Sequence, residues 1–298
     1  MLLRASRFYI RYLNLPGRRW LYDSFVDRHL AWRTYSTVAR MRRGPSVEVE
    51  LPDQIQSRIY FFGVWEPEIT HYVSTALAPG DRFVDVGGNI GYFSLLAASI
   101  VGPKGAVSAV EASPTNYAAL ARNVARSGFN NITLHHKAVA DAPGRVSIFL
   151  GPAHNRGATT TLSSVAVRKG QGLEAEVVAD TLSAIVGEDE LLAARLIKID
   201  IEGAEYALLA GIVNLLPRFT PKTEWLLEMS PEAMREQGQS VDAFLDMFRS
   251  AGYELYQIRN DYSDESYFGG DSRVYLEKLT ESPKKTVDIL ARKPARDA

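Results

Sequence analysis

Two short stretches hold the residue types that bind and transfer chemical groups. In the first, Asp85-Val86-Gly87-Gly88-Asn89-Ile90-Gly91 sets an acid in an apolar run, followed by glycines four apart and then an apolar helical pattern. Glycine lets the backbone turn sharply and approach a ligand with no Cβ in the way. A helix starting near Ile90 would aim its free N–H groups at whatever fills that turn. Glu111, twenty residues after Gly91, ends the next apolar run. A carboxylate there can accept both hydroxyls of a ribose, and Ala112 follows it into the turn. These residues predict a nucleoside-type cofactor at the first strand-to-helix crossing of an α/β sheet. The dinucleotide fingerprint, started at Gly87, needs glycines where Asn89 and Tyr92 stand.

The second stretch is Ile197-Lys198-Ile199-Asp200-Ile201-Glu202-Gly203-Ala204-Glu205. On a strand, Lys198 and Asp200 share a face. A lysine in an apolar strand is costly unless it is paired or used. Asp200 falls where the strand leaves the sheet, at the edge that α/β folds use for ligands. Glu202 and Glu205 crowd the next helix start, where the dipole favours anions, and Glu205 reads equally well as a simple helix cap. Lys198, Asp200 and Glu202 are therefore the candidates for removing a proton. His154, in a long loop, is a rival that alone reads as a surface residue. No metal is expected, with five scattered histidines and no cysteine. The alternative is a Mg²⁺ held by Asp200 and Glu228 at neighbouring strand ends.

The elements that must position these groups follow a regular βα alternation. Strands are expected at 82–87, 106–111, 132–136, 196–201, 225–229, 253–258 and 286–291, with helices at 90–101, 114–128, 204–216 and 241–251. That makes a doubly wound, seven-stranded, mainly parallel α/β sheet whose last strand is antiparallel, since no crossover helix precedes it. Val146–Leu150 is expected to pair, outside this sheet, with Glu176–Ala179. Loops 151–173 and 260–275 are long enough to be functional, and Tyr262 and Tyr267 in the second could stack on a ring or sugar face.

The domain boundary is expected at 55/56. Residues 1–55 form a basic, aromatic, helical N-terminal extension, and residues 56–298 form the catalytic domain. Within 1–45 stand ten arginines against Asp23 and Asp27, so this segment carries +8 while the net −1 leaves −9 elsewhere. Leu21, Phe25, His29 and Trp32 lie at helical spacing and predict a helix over about 20–42. The segment suits a cap on the catalytic domain, a partner (an oligomer contact included) or peripheral contact with an anionic membrane; with no clean apolar face, the first two are favoured. No apolar run is long enough for a transmembrane helix, and arginines 4, 7 and 11 interrupt any signal-peptide core, so the cytoplasm is the expected location. The net charge argues against nucleic acid as a partner.

The motifs together resemble one family. Asp85–Ser94, Val110–Pro114, Lys137–Asp141 and Lys198–Glu205 occur in the order found in the FkbM family of class I S-adenosylmethionine-dependent methyltransferases, across about 60–293. Asp200 to Glu205 matches the distinctive Asp-x-Glu-Gly-x-Glu run. Two positions depart from the pattern: Gly88 stands where alanine is usual, and Glu111-Ala112-Ser113-Pro114 where Glu-Pro-x-Pro is more frequent. The resemblance implies a Rossmann-like methyltransferase fold with S-adenosylmethionine as cofactor. Binding would fall to Asp85, Gly87, Gly88, Asn89, Gly91, Glu111, Ala112 and Asp200, with Val139 and Asp141 beside the adenine. It also implies O-methylation of a small-molecule hydroxyl on a sugar, polyketide or other natural product. The alternatives are an NAD(P)-dependent oxidoreductase and a non-catalytic nucleoside-binding scaffold.

Overall fold

The structure is a computed structural model that describes residues 1–13, 15–260, 264–269 and 274–294. Its strands, in chain order, are β1 (Tyr35–Arg40), β2 (Ser46–Leu51), β3 (Arg82–Val86), β4 (Ala106–Val110), β5 (Ile132–His135), β6 (Ala138–Val139), β7 (Gly144–Phe149), β8 (Leu173–Asp180), β9 (Leu196–Ile199), β10 (Glu224–Met229), β11 (Glu254–Ile258), β12 (Leu276–Lys278) and β13 (Val287–Arg292). The main sheet runs β12-β11-β13-β10-β9-β3-β4-β5. β5, β4, β3, β9 and β10 are parallel, and β13 is antiparallel to both β10 and β11. The order reverses at β3, where the chain crosses from one half of the sheet to the other. Ligands of doubly wound sheets bind at such a point.

The central strands are short apolar runs because helices cover both faces. Alternate residues divide accordingly. Phe83, Val107, Leu196, Leu226 and Leu290 join one core with helices Gln54–Phe62, Pro67–Ala76 and Tyr92–Val101. Val84, Ile197, Trp225, Leu227 and Ile289 join the other with Glu205–Ile212 and Val241–Ser250. Asp85 and Lys198 are register partners on the first of these faces.

The sheet differs from expectation at one edge. Leu276–Lys278 adds an eighth strand, antiparallel to β11, where a three-residue polar segment gives little sequence signal. β7 pairs with β8 as expected, Val146 opposite Val177, and β6 completes a separate three-stranded sheet.

The N-terminal segment departs further. Helix Leu2–Tyr12 is followed by a helix that begins at Arg18 and widens to π geometry over Tyr22–Leu30. It stops there rather than near 42. Residues 35–40 instead pair with 46–51 as a hairpin, since Tyr35, Thr37 and Val38 favour strand and Gly44-Pro45 supplies the turn. The buried stripe of the helix is Tyr22, Val26 and Leu30, one position on from the stripe the spacing suggested. These residues and Ile10 pack with Ile59, Tyr60, Phe61 and Phe62 in the core that also contains the sheet's first face. Among the described residues, no helix is long and apolar enough to cross a membrane.

Candidate active site

β3 delivers its chain into a turn closed by two bonds: the Gly87 and Gly88 N–H groups both donate to the Val110 carbonyl, at 2.9 and 3.0 Å. Gly87 has φ 88°, and a Cβ there would stand 1.8 Å from the Asp200 carbonyl oxygen. Only glycine lets β3 and β9 end this close together. Gly91, at φ 93°, opens helix Tyr92–Val101, two residues later than the sequence suggested.

Glu111 is 7% exposed and holds the turn from the neighbouring strand. Its Oε2 accepts from the Asn89 N–H and its Oε1 from the Ser113 N–H, both at 2.8 Å. Burial pushes its pKa up to about 7, although the two N–H donors oppose the rise. Each carboxylate oxygen retains a further lone pair for a ligand hydroxyl.

The turn opens on a cavity of about 260 Å³. Gly87, Gly88, Asn89, Glu111, Ala112 and Val139 line one part of it, and Lys198, Asp200, Glu202 and Glu228 line another. The two motifs, more than a hundred residues apart in sequence, thus meet in one cavity. Val110, Val139 and Ile148 give it an apolar wall. The long loop closes over it through Asn155, Gly157 and Thr159–Thr161, held by the Arg156 N–H on Asp53 (2.8 Å) and by the Thr160 hydroxyl on the Glu202 carbonyl (2.9 Å).

Lys198 is 4% exposed, and its Nζ donates to Asp200 Oδ2 at 2.9 Å, confirming the shared face. It also lies 4.7 Å from the centre of the Phe93 ring. Burial alone would lower its pKa, but the carboxylates of Asp200, Glu66 and Asp85 outweigh burial and hold it above its ordinary value. Lys198 is thus an ammonium and lacks the depressed pKa that a proton acceptor needs. Glu202 is pushed to about 7 by burial and by Asp200, with Lys169 opposing. Burial, Asp200 and Asp288 raise Glu228 well above the carboxylate range.

Four expected site residues stand outside the cavity wall. Asp85, 1% exposed, lies beneath the turn, where its Oδ2 accepts from the Ser94 hydroxyl. Gly91 packs against Leu120. Asp141 is solvent-exposed, because β6 ends at Val139 and the Ala140 N–H is tied to the Asp180 carbonyl, leading the chain away. His154 is exposed with its ring against Trp32, while its carbonyl accepts from the Gln54 N–H. Tyr267 is 1% exposed, packed against Phe62, and so offers no ligand a face; Tyr262 lies outside the described residues. Asp200 and Glu228 both reach the cavity, but among the described residues no group of three or more metal-ligating side chains is arranged to hold an ion.

Sequence reasoning missed Glu66, which is 4% exposed and lines the cavity from the start of helix Pro67–Ala76. Its signal was its place before Pro67, which bars the residue ahead of it from helical geometry. Glu66, Asn89 and Glu202 are the non-glycine residues with positive φ among those described, at 43°, 49° and 46°, and all three line this cavity. Such conformations cost roughly 1–3 kcal/mol each and cluster at ligand sites.

A sheet of this order, with its ligand cavity at the reversal point, defines a Rossmann-like class I methyltransferase fold. The chain belongs to the FkbM methyltransferase family: the Methyltransferase FkbM domain model matches residues 85–255. It is 30% identical over 161 residues to the 31-O-demethyl-FK506 methyltransferase FkbM of Streptomyces tacrolimicus, covering 46% of this chain and 61% of that protein. The chain thus spans about three fifths of the length of the curated relative it matches. Among solved structures, it is similar to methyltransferase FkbM from Methylobacillus flagellatus (14% identity, TM-score 0.43, 79% of this chain and 53% of that one). It is also similar to M. jannaschii TYW2 in complex with AdoMet (13%, TM-score 0.38, 88% of each). Family membership indicates S-adenosylmethionine as the cofactor and displaces the nicotinamide reading.

Proposed function

We propose that this protein methylates a hydroxyl group of a small-molecule acceptor, a sugar, polyketide or similar natural product, with S-adenosylmethionine as donor. The observation that carries the reading is the meeting, in one cavity, of the Glu111-braced glycine turn with the Lys198–Asp200 pair and Glu202. S-adenosylmethionine, when bound, supplies a methyl group on a positively charged sulfur.

The residues present fit that cofactor. Gly87 and Gly88 bring bare backbone to the cavity wall, Glu111 has acceptor capacity for two ribose hydroxyls, and Val139, Ala112 and Ile148 offer an apolar slot for a base. The carboxylates of Asp200, Glu66 and Glu228 suit a cationic ligand. Asp85 acts from below by fixing the turn through Ser94, without touching the ligand.

Glu202 is the group we assign to accept the acceptor's proton. It lines the cavity, and a carboxylate titrating near 7 is matched to that task at neutral pH. Lys198 positions Asp200 and remains charged. Five carboxylates on the cavity wall, against Lys137 and Lys198, favour a neutral acceptor over a phosphate-rich nucleic acid. We place residues 1–55 as an extension and 56–298 as the catalytic domain, with the cytoplasm as the site of action.

The test is a calorimetric titration with S-adenosylhomocysteine beside NAD, for wild type and Glu111→Ala, followed by a mass-shift assay with a hydroxylated acceptor panel. Binding of S-adenosylhomocysteine that the variant loses, with a gain of one methyl on an acceptor oxygen, supports the reading. Binding without any turnover across the panel would leave a nucleoside-binding scaffold in its place.

A further inference from the structure

A second site lies on the N-terminal face and shares no residue with the cofactor cavity. Thirteen large hydrophobic residues are strongly exposed among those described, and eight of them fall within residues 1–32. On helix Leu2–Tyr12 the exposed stripe is opposite Ser6 and Ile10, which face the core. Phe8 is 56% and Tyr12 55% exposed, one turn apart with ring centres 5.7 Å from each other. The Tyr9 hydroxyl donates to the Pro16 carbonyl at 2.6 Å, which folds the segment carrying exposed Leu13 and Leu15 back beside this helix. Trp20, at the start of the next helix, is 70% exposed.

Beside the stripe is a groove of about 380 Å³ between this helix and β1, lined by Arg4, Arg7, Phe8, Tyr12, Val38 and Tyr60 among others. The Arg7 guanidinium lies 4.9 Å over the Tyr60 ring, and its Nε is buried with no hydrogen-bond partner. Arg4 has tyrosine neighbours, Tyr35 and Tyr60, and Arg11 is surrounded by Tyr12, Arg7, Arg40 and Arg42. No carboxylate faces any of these three guanidinium groups among the described residues.

Exposed aliphatic and aromatic side chains on one flank and uncompensated guanidinium groups beside them are what an interfacial helix presents to anionic lipid. Tyrosine and tryptophan suit the headgroup layer, where a ring is half buried and its polar edge stays wet. The charge distribution gives a direction as well. Residues 1–45 carry +8 and the remainder −9, so an anionic surface attracts the N-terminal segment, to which the groove's Arg4 and Arg7 belong, and repels the rest. We propose that the N-terminal helix and its arginine groove form a docking site for an anionic phospholipid bilayer, with Arg4 and Arg7 receiving a lipid phosphate and Phe8, Tyr12 and Trp20 entering the interface. Exposed Leu13, Leu15 and Trp20 follow this helix in the chain, which the Tyr9 bond to the Pro16 carbonyl turns back towards it.

The test is flotation of the full chain with vesicles of phosphatidylcholine alone and of phosphatidylcholine mixed with phosphatidylglycerol. Wild type, Arg4→Gln/Arg7→Gln and Phe8→Ser/Tyr12→Ser are compared, and S-adenosylhomocysteine titration of each confirms an intact fold. The expected result is capture by the anionic vesicles, weakened by raised salt and reduced roughly fivefold per arginine removed. The Phe8/Tyr12 variant should lose at least about tenfold, given the apolar area withdrawn. Equal capture by both vesicle types, or variants that bind like wild type, overturns the proposal. So does full displacement by soluble glycerol phosphate, which would make the groove a free-phosphate site. A concentration-dependent dimer lost in Phe8→Ser/Tyr12→Ser, without vesicle capture, would instead make the face a contact between copies.

Discussion

Replacing Glu111 with glutamine should move stability and cofactor affinity by amounts that depend oppositely on pH. The carboxyl is 7% exposed, and its pKa in the folded protein is about 7, against an ordinary value of 4.5. Between those values the folded chain holds a proton that the unfolded chain has lost. The stabilisation this represents is complete below pH 4.5 and disappears as pH rises to 7. At about 1.4 kcal/mol per pH unit, the interval amounts to at most roughly 3.5 kcal/mol. Glutamine does not titrate, so the variant lacks this loss. It has one acceptor oxygen for the two N–H donors of Asn89 and Ser113. One buried N–H therefore loses its partner, at a cost of about 1–3 kcal/mol.

Urea unfolding of both proteins near pH 5 and pH 8 reads the difference. The variant should be less stable at pH 5 by about 1–3 kcal/mol, and within about 2 kcal/mol of wild type at pH 8. Glu202, Glu205 and Asp288 also titrate near 7, but they are common to both proteins and cancel in the comparison. In the same preparations, S-adenosylhomocysteine affinity should rise with pH towards 7 in wild type, by up to about tenfold per unit, because ribose hydroxyls donate to the ionised carboxylate. The variant should bind at least about tenfold more weakly and lose that part of the pH dependence. An equal destabilisation at both pH values would refute the titration of Glu111, and unchanged affinity would refute its contact with the cofactor.

Other substitutions test the remaining wall. In wild type, kcat at saturating cofactor and acceptor should climb through about pH 7 as Glu202 loses its proton, and Glu202→Gln should be slower by about 10²–10⁴-fold with that limb gone. A variant retaining the limb would assign the proton to another group. Lys198→Met strips Asp200 of its partner and removes the ammonium that opposes the rise at buried Asp85. It should cost about 3–5 kcal/mol near neutral pH, as read by thermal unfolding. Gly87→Ala meets the Asp200 carbonyl at 1.8 Å and needs φ 88°, so a loss above about 3 kcal/mol is expected by denaturant titration.

The sheet was legible because its central strands are buried on both faces and read as continuous apolar runs between turn signals. An acid or lysine inside such a run is conspicuous, which is why Asp85, Lys198 and Asp200 stand out in the sequence alone. Three-residue β12 has no comparable pattern, and its pairing with β11 is decided by tertiary context. Strand β1 was masked by a helical spacing that continues past Leu30 into Trp32. What ends the helix is the hairpin with β2, which pairs Tyr35 with Leu51, sixteen residues on. Tyr267 read as a polar loop residue, yet it fills space between Phe62 and Arg58, a placement only packing can reveal. Asp141 followed the correct strand but one residue beyond the point where the chain turns outward.

The cavity's charges also bear on why its acids are arranged as they are. Glu66, Glu111, Asp200, Glu202 and Glu228 all line it, and five ionised carboxylates would hold a cationic cofactor firmly before reaction. Binding energy spent equally on the ground state does not raise the rate, and stabilising a charge that the reaction removes would lower it. Burial limits that penalty here. Asp200 is matched by the Lys198 ammonium at 2.9 Å, Glu228 is pushed well above the carboxylate range, and Glu202 and Glu111 are balanced near 7. At neutral pH the wall is therefore less negative than its composition, and the acids whose charge matters most are those a ligand can switch. The strained backbones at Glu66, Asn89 and Glu202 fit the same logic. Each sets a residue on the cavity wall from a different part of the chain, where such conformations cluster.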